Sequence, residues 1–218
     1  ESGKVIGVDM TAEMVEKALE HIPRDAEWAI ADLGTGSGAV ALAIAKERPH
    51  CRVVATDSSP AALDVARSNA EKFALTNIEF REGDWFAPLA GATFDIIVSN
   101  PPYIRAGDPH LKQGDLCFEP ATALVSGADG LDAIRHIARH AREFLAPGGW
   151  LLFEHGWDQA DAAGEILRRQ GYQVQTAGTG QEALSQLQIN PRHLAAVVVD
   201  MMMPGLDGLS VCRALRAE

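Results

Sequence analysis

The chain has 218 residues, and 19 Lys and Arg against 30 Asp and Glu leave a formal net charge of −11. With 47% hydrophobic residues it can bury a real core, while its acidic balance repels polyphosphate and argues against nucleic acid as a partner. No apolar run approaches the ~18 residues a membrane-spanning helix needs, and Cys51, Cys117 and Cys212 are too few and too scattered for a disulfide framework or a zinc cluster.

At the N-terminus, Glu1-Ser2-Gly3-Lys4 does not read as a signal peptide. With no initiator Met the chain reads as a trimmed or excised piece of a cytoplasmic protein. Strands are then expected at Lys4–Asp9, Trp28–Asp32, Arg52–Asp57, Ile78–Glu82, Phe94–Asn100, Trp150–Glu154, Tyr172–Ala177 and Leu194–Asp200. Helical spacing falls between them, near 11–21, 38–48, 60–73, 129–145, 158–169, 180–188 and 207–217. Thr11 can cap the first helix, Ser59-Pro60 opens the third, and Pro147-Gly148-Gly149 is expected to stop the fifth. This alternation predicts an α/β fold, a Rossmann-like doubly wound and mostly parallel sheet with helices on both faces. The long irregular stretch from Asn100 to about Gly127 follows a strand that reads as buried on both sides, and loops of that length are usually functional or disordered.

Asp32-Leu33-Gly34-Thr35-Gly36-Ser37-Gly38 falls where a strand gives way to a helix. Its glycines permit a tight turn and let a ligand approach the main chain. A bare G-x-G is weak evidence, but the flanking strand and helix are the required context. The Lys-Ser/Thr ending of a triphosphate loop is missing. Asp57 ends the next strand, 19 positions past Gly38, where a carboxylate can accept both hydroxyls of a ribose. Asp84, after the third strand, can accept from an adenine amino group, and Trp85 can supply a ring wall or backbone contacts. Each acid alone could be a helix cap, but acids at successive strand ends on one sheet edge point to an adenosine-type ligand.

The fourth strand runs into Asn100-Pro101-Pro102-Tyr103. Two prolines could form a rigid exit from the sheet, but that leaves Asn100 and Tyr103 unexplained. The Asn100 side-chain oxygen and a proline carbonyl can accept from the two N–H groups of one planar amino group. That nitrogen's lone pair is then drawn out of conjugation and aimed at an electrophile. Tyr103 would stack on the planar group, and Pro101-Pro102 would fix the geometry, so much of the rate would come from orientation. The seven histidines show no metal-ligand spacing, and no metal is expected.

These motifs, with Gly83-Asp84-Trp85-Phe86, resemble the class I S-adenosylmethionine-dependent methyltransferases. Residues 22–158 are similar, more narrowly, to the HemK/PrmC-type enzymes that methylate a glutamine side-chain amide in peptide-chain release factors. Val98–Ile104, Asp108-Pro109-His110-Leu111, Phe118-Glu119-Pro120, Ala123-Leu124 and Phe153-Glu154-His155-Gly156-Trp157 support that likeness. It implies that Asp32, Gly34, Thr35, Gly36, Ser37 and Gly38 hold the methionine end of S-adenosylmethionine, that Asp57 with Ser58 holds the ribose, and that Asp84 and Trp85 hold the adenine. Asn100, itself beside the cofactor, would with Pro101, Pro102 and Tyr103 hold the glutamine amide of a Gly-Gly-Gln segment, and S-adenosylhomocysteine would be the product. Asn-Pro-Pro-Tyr also occurs in enzymes that methylate amino groups in DNA, but a net charge of −11 favours a protein substrate.

Both ends depart from that family. The helical N-terminal docking domain is replaced by Gly3–Met14, which resembles the ribose-binding strand and helix of arsenite-type methyltransferases, here placed before a glycine loop, so Asp9 reads as structural. From about Ala162 the chain resembles a response-regulator receiver, with Asp200 at the phosphoacceptor position and Glu154-His155 at the acid pair. A receiver's later Thr/Ser and Lys are missing, and phosphorylation of Asp200 is not expected. The implied layout is one α/β domain over 1–218: an N-terminal strand and helix (1–21), a methyltransferase core (22–158) and a receiver-like extension (159–218), together a natural or designed chimera. The last two strands would extend the sheet beyond strand 150–154 or pair with another chain in a swapped homodimer. Two functions stay open: a protein-glutamine methyltransferase, or a recombined scaffold that binds S-adenosylmethionine without efficient turnover.

Overall fold

The computed structural model describes residues 14–15, 18–19, 21–112, 119–156, 158–172, 174 and 196–197. Within them β1 (Ala29–Leu33), α1 (Ala39–Glu47), β2 (Arg52–Asp57), α2 (Pro60–Lys72) and β3 (Ile78–Glu82) form one winding. The second winding holds β4 (Phe94–Ser99), α3 (Ala121–Leu124), α4 (Asp132–Phe144), β5 (Leu145–Phe153), α5 (Ala160–Arg169) and the short β6 (Ala196–Val197). The sheet order is β3-β2-β1-β4-β5-β6, with every pairing parallel. The doubly wound α/β expectation therefore holds.

Alternation along the strands builds the two cores. Ile30, Val53, Ala55, Ile96, Val98 and Leu152 pack with Val40, Ala41, Ile44 and Ala45 of α1 on one face. On the other, Ala31, Leu33, Ile97 and Leu151 pack against Ile134, Ile137 and Ala141 of α4 and Leu167 of α5. Parallel strands covered on both faces need this two-sided apolar character. The strand order reverses between β1 and β4, so their carboxyl ends border a crevice of the kind where α/β folds bind ligands. Leu33 is in register with Ser99, and the buried Ser99 hydroxyl donates to the Leu33 carbonyl at 2.8 Å, fastening the two tips. Ser99→Ala leaves that carbonyl without its partner and is expected to lower stability by about 1–3 kcal/mol. Urea denaturation reads the loss, and an unchanged midpoint would show that this fastening contributes nothing.

Some boundaries differ from expectation. Ser59 caps α2, its hydroxyl accepting from Ala62 N–H at 3.3 Å with Pro60 at the first helical position. Pro147-Gly148-Gly149 follows the end of α4 as a helix stop should, but it also lies inside β5, which begins at Leu145 and not at Trp150. α4 ends at Phe144 and the chain turns extended at once. Leu145 pairs with Phe94, and a register shift before the Ile96–Trp150 pair absorbs the proline, which has no N–H for the ladder. The stretch after Asn100 is also less irregular than its sequence suggests. It contains a 3-10 turn at Pro109–Lys112 and the short α3, and Ile104 exchanges backbone bonds with Leu124 and Ser126 at 2.9 Å.

At the C-terminal end, Ala196–Val197 lies parallel beside Leu151–Leu152, so the last expected strand does extend the sheet. Of Tyr172–Ala177 only Tyr172 and Val174 are described, and neither is in a strand. The expected strand Lys4–Asp9, the Thr11 cap, Asp9, Asp200 and the helices near 180–188 and 207–217 lie outside the described residues. Among the described residues, no helix is long and apolar enough to cross a membrane.

Candidate ligand site at the strand switch point

The loop after β1 is built from backbone outward. Gly34 and Thr35 both donate their N–H to the Thr56 carbonyl at 2.9 Å, laying the loop over the end of β2. Gly36 has φ +56° with open space where a Cβ would stand, and Gly38 has φ +86° with Leu42 and Ala66 about its Cα. The first demands a left-handed backbone, and the second also allows α1 and α2 to pack closely. Asn69 of α2 donates to the Ser37 carbonyl at 3.1 Å and holds the loop's far side.

Asp32 sits beneath this loop, not in its mouth. Its carboxylate is buried and accepts from the Thr35 hydroxyl at 2.7 Å and from Ala41 N–H at 3.1 Å. Burial raises its pKa to about 6 against the pull of those two bonds. Because the folded pKa exceeds the unfolded 3.8, the contribution favours folding at low pH and is lost as pH rises through that window. Asp32→Asn keeps an acceptor but cannot ionise. Wild-type stability is thus expected to fall relative to this variant between pH 4 and 6.5, while parallel pH–stability curves would contradict the account.

Asp57, at the tip of β2, accepts from Gly36 N–H and from Ser59 N–H, each at 2.8 Å and on a different oxygen. Each oxygen retains a lone-pair direction for a further donor. Ser58 beside it is exposed. Across the crevice floor Gly83 N–H donates to the Asp57 carbonyl at 3.0 Å, which places Asp84, exposed, and Trp85 after β3. Trp85 has φ +44°, a costly conformation for a bulky residue, and the Thr56 hydroxyl holds its carbonyl at 3.2 Å. Its ring reaches within 3.9 Å of the point where a Cβ on Gly34 would lie, so the indole and the glycine loop share one wall.

Asn100-Pro101-Pro102-Tyr103 leaves β4 one residue past the Leu33–Ser99 register pair, beside Gly34. Asn100, Pro102 and Tyr103 are half-buried, and Pro101 is buried. The Tyr103 hydroxyl donates to Glu154 Oε1 at 2.8 Å. Burial, and then the Glu154 carboxylate, push the Tyr103 phenol well above its ordinary pKa. The structure thus gathers the glycine loop, Asp57, Asp84, Trp85 and Asn100–Tyr103 along the carboxyl edge of the first four strands.

Sequence reasoning missed three neighbours of this site. Glu154 was legible only as a likeness and as an acid-pair position, not as the partner of Tyr103. Gln159, whose amide donates to the Tyr103 carbonyl at 2.9 Å, carried no signal at all. His136 of α4 lies 6.0 Å from the Trp85 ring, and burial followed by His140 lowers its pKa. Among the described residues, no group of three or more His, Cys, Asp or Glu could hold a metal ion.

A glycine loop at the reversal of a parallel sheet, with acids at the following strand tips, is the place where open α/β sheets take their ligands. The chain belongs to the methyltransferase small domain family, whose model matches residues 7–127. A response regulator receiver domain model matches residues 152–218. Among curated relatives, the release factor glutamine methyltransferase of Xylella fastidiosa (strain 9a5c) is 56% identical over 161 residues, 74% of this chain and 58% of that protein. The release factor glutamine methyltransferase of Coxiella burnetii is 46% identical over 182 residues, 84% of this chain and 65% of that protein. The chain therefore spans about three fifths of the relatives it matches. A match over 182 residues necessarily runs into 152–218, so receiver and methyltransferase likenesses share residues. A methyltransferase structure from Pyrococcus furiosus, at 20% identity, superposes with a TM-score of 0.57 over 80% of this chain and 79% of that one, a likeness of fold.

Proposed function

We propose that this chain is an S-adenosylmethionine-dependent methyltransferase core that methylates the side-chain amide nitrogen of a glutamine in a release-factor-like protein. The observation that carries the reading is the adjacency of Asn100-Pro101-Pro102-Tyr103 to the glycine loop at the β1–β4 reversal. The cofactor suits the residues present: Gly36 leaves open space a Cβ would fill, Asp57 has acceptor capacity left, and Trp85 offers an apolar wall.

In this reading Gly34–Gly38 hold the methionine end, Asp57 and Ser58 the ribose, and Asp84 and Trp85 the adenine, with Asp32 acting through the loop above it. When bound, the cofactor supplies a sulfonium-activated methyl group. Asn100 and the Pro101 carbonyl accept the two N–H bonds of the substrate amide, and Tyr103 stacks on its plane. The amide nitrogen, so held, would offer its lone pair to that methyl group, and the sulfur would leave with the electrons of the carbon–sulfur bond. The proton leaves to solvent from the nitrogen that now carries the new bond, so no strong base is required.

The net charge of −11 supports a protein substrate over nucleic acid. We read 1–218 as one α/β domain, with the core at 22–158 flanked by the segment 1–21 and a receiver-like extension over 159–218, in the cytoplasm. A second reading, a recombined scaffold that binds cofactor without turnover, is favoured by the receiver match at 152–218. A homodimer through the C-terminal strands would use the sheet edge beyond β6, and light scattering that returned only the monomer mass would dispose of it. Labelled methyl transfer to a Gly-Gly-Gln peptide separates enzyme from scaffold. The enzyme reading expects incorporation on the glutamine, and incorporation no greater than that of Asn100→Ala would contradict it.

A further inference from the structure

The loop that would hold the substrate amide is clasped from a part of the chain with no place in the reaction just described. Glu154 follows β5, and its N–H donates to the Ser99 carbonyl at 3.1 Å, tying it to the residue before Asn100. Its Oε1 takes the Tyr103 hydroxyl at 2.8 Å. Gln159, just before α5, is buried, and its amide nitrogen donates to the Tyr103 carbonyl at 2.9 Å while its amide oxygen accepts from Gly156 N–H at 2.9 Å. Gly130, at φ +79°, presses against the Tyr103 carbonyl and the Gln159 amide so closely that a Cβ there has no room. Tyr103 is thereby held at both its ring and its backbone.

We propose that Glu154 and Gln159, both within the range that matches a receiver, are positioning residues that fix the Asn100–Tyr103 loop for methyl transfer. The inference rests on the proposed function of that loop. A tyrosine ring free to turn about its side-chain torsions would present its face to a planar amide for only part of the time. A charge-assisted bond at the hydroxyl and a buried bond at the carbonyl remove that freedom before substrate arrives. The acid after β5, which in the receiver likeness stands at the acid-pair position, here serves the methyltransferase site.

The test uses the full chain, with labelled transfer to a Gly-Gly-Gln peptide and separate titrations of cofactor and peptide. Glu154→Ala and Gln159→Ala are expected to lower kcat by ~10–100-fold, the scale of a misplaced reacting group. The KM for cofactor should stay within about twofold, because the interaction acts in the transition state and not in cofactor binding. Glu154→Gln, which keeps an acceptor for the hydroxyl, should recover to within about threefold of wild type. A Glu154→Ala enzyme with unchanged kcat, or a Glu154→Gln enzyme as poor as the alanine variant, would overturn the proposal. A second readout does not depend on turnover. In a Tyr172→Phe background, the ring Cζ carbon-13 resonance of the remaining tyrosine at neutral pH should move in Glu154→Ala, because its hydroxyl loses the acceptor, and stay near its wild-type place in Glu154→Gln. If wild type transfers no methyl, the functional reading fails and this resonance alone decides whether the clasp exists. A resonance unmoved in Glu154→Ala would show that it does not.

Discussion

Asn100→Ala is expected to lower methyl transfer by ~10²–10³-fold while leaving the fold intact and cofactor affinity within about tenfold of wild type. The size follows from the chemistry of the nucleophile. An amide nitrogen shares its lone pair with the carbonyl and attacks poorly until acceptors on its two N–H bonds draw that pair out. In the proposed reaction Asn100 would supply one acceptor and the Pro101 carbonyl the other, so truncation would remove half the device and let the amide turn. The fold should survive because the Asn100 side chain is half-buried at the strand exit, whereas the tip of β4 is fastened separately by Ser99 to Leu33. Single-turnover kinetics against calorimetry with S-adenosylhomocysteine checks both halves. Equal losses in rate and in affinity would mean that Asn100 only binds cofactor.

The second large effect belongs to Asp57. Asp57→Ala is expected to weaken cofactor binding by ~100-fold or more, since hydrogen bonds to a charged acceptor are worth roughly 1.5–3 kcal/mol each. Part of the loss would come from the loop, because Asp57 also holds Gly36 N–H and Ser59 N–H at 2.8 Å. The two contributions separate with a 2′-deoxyribose analogue of S-adenosylhomocysteine. Wild type should discriminate strongly against the analogue, and Asp57→Ala should scarcely discriminate at all. If both proteins discriminate equally, the carboxylate does not read the ribose.

Much of the architecture was legible because it is locally encoded. Arg52–Asp57 and Ile78–Glu82 begin and end where their apolar patterns do, and Ser59-Pro60 announces a helix start that the structure realises. The glycine loop was readable for the same reason: strand, turn and helix are contiguous in sequence. What escaped depends on contacts that only the sheet order creates. Tyr103 and Glu154 are 51 residues apart and meet because β4 and β5 are neighbours whose ends lie in register, Ser99 against Phe153. The capture of Asp57 by Gly36 likewise needs β1 beside β2. Pro147-Gly148-Gly149 marked the helix end but hid the early start of β5, because residues that end a helix can also form an irregularity in a strand, and here the pairing of Leu145 with Phe94 decides.

The most direct measurement is calorimetry of S-adenosylmethionine titrated into the full chain. A pocket for the sulfonium nucleoside at the tips of β1 to β4 predicts a saturable one-site heat that Asp57→Ala largely removes. No heat and no thermal shift at millimolar cofactor would contradict it, whatever the chain's likeness to its relatives.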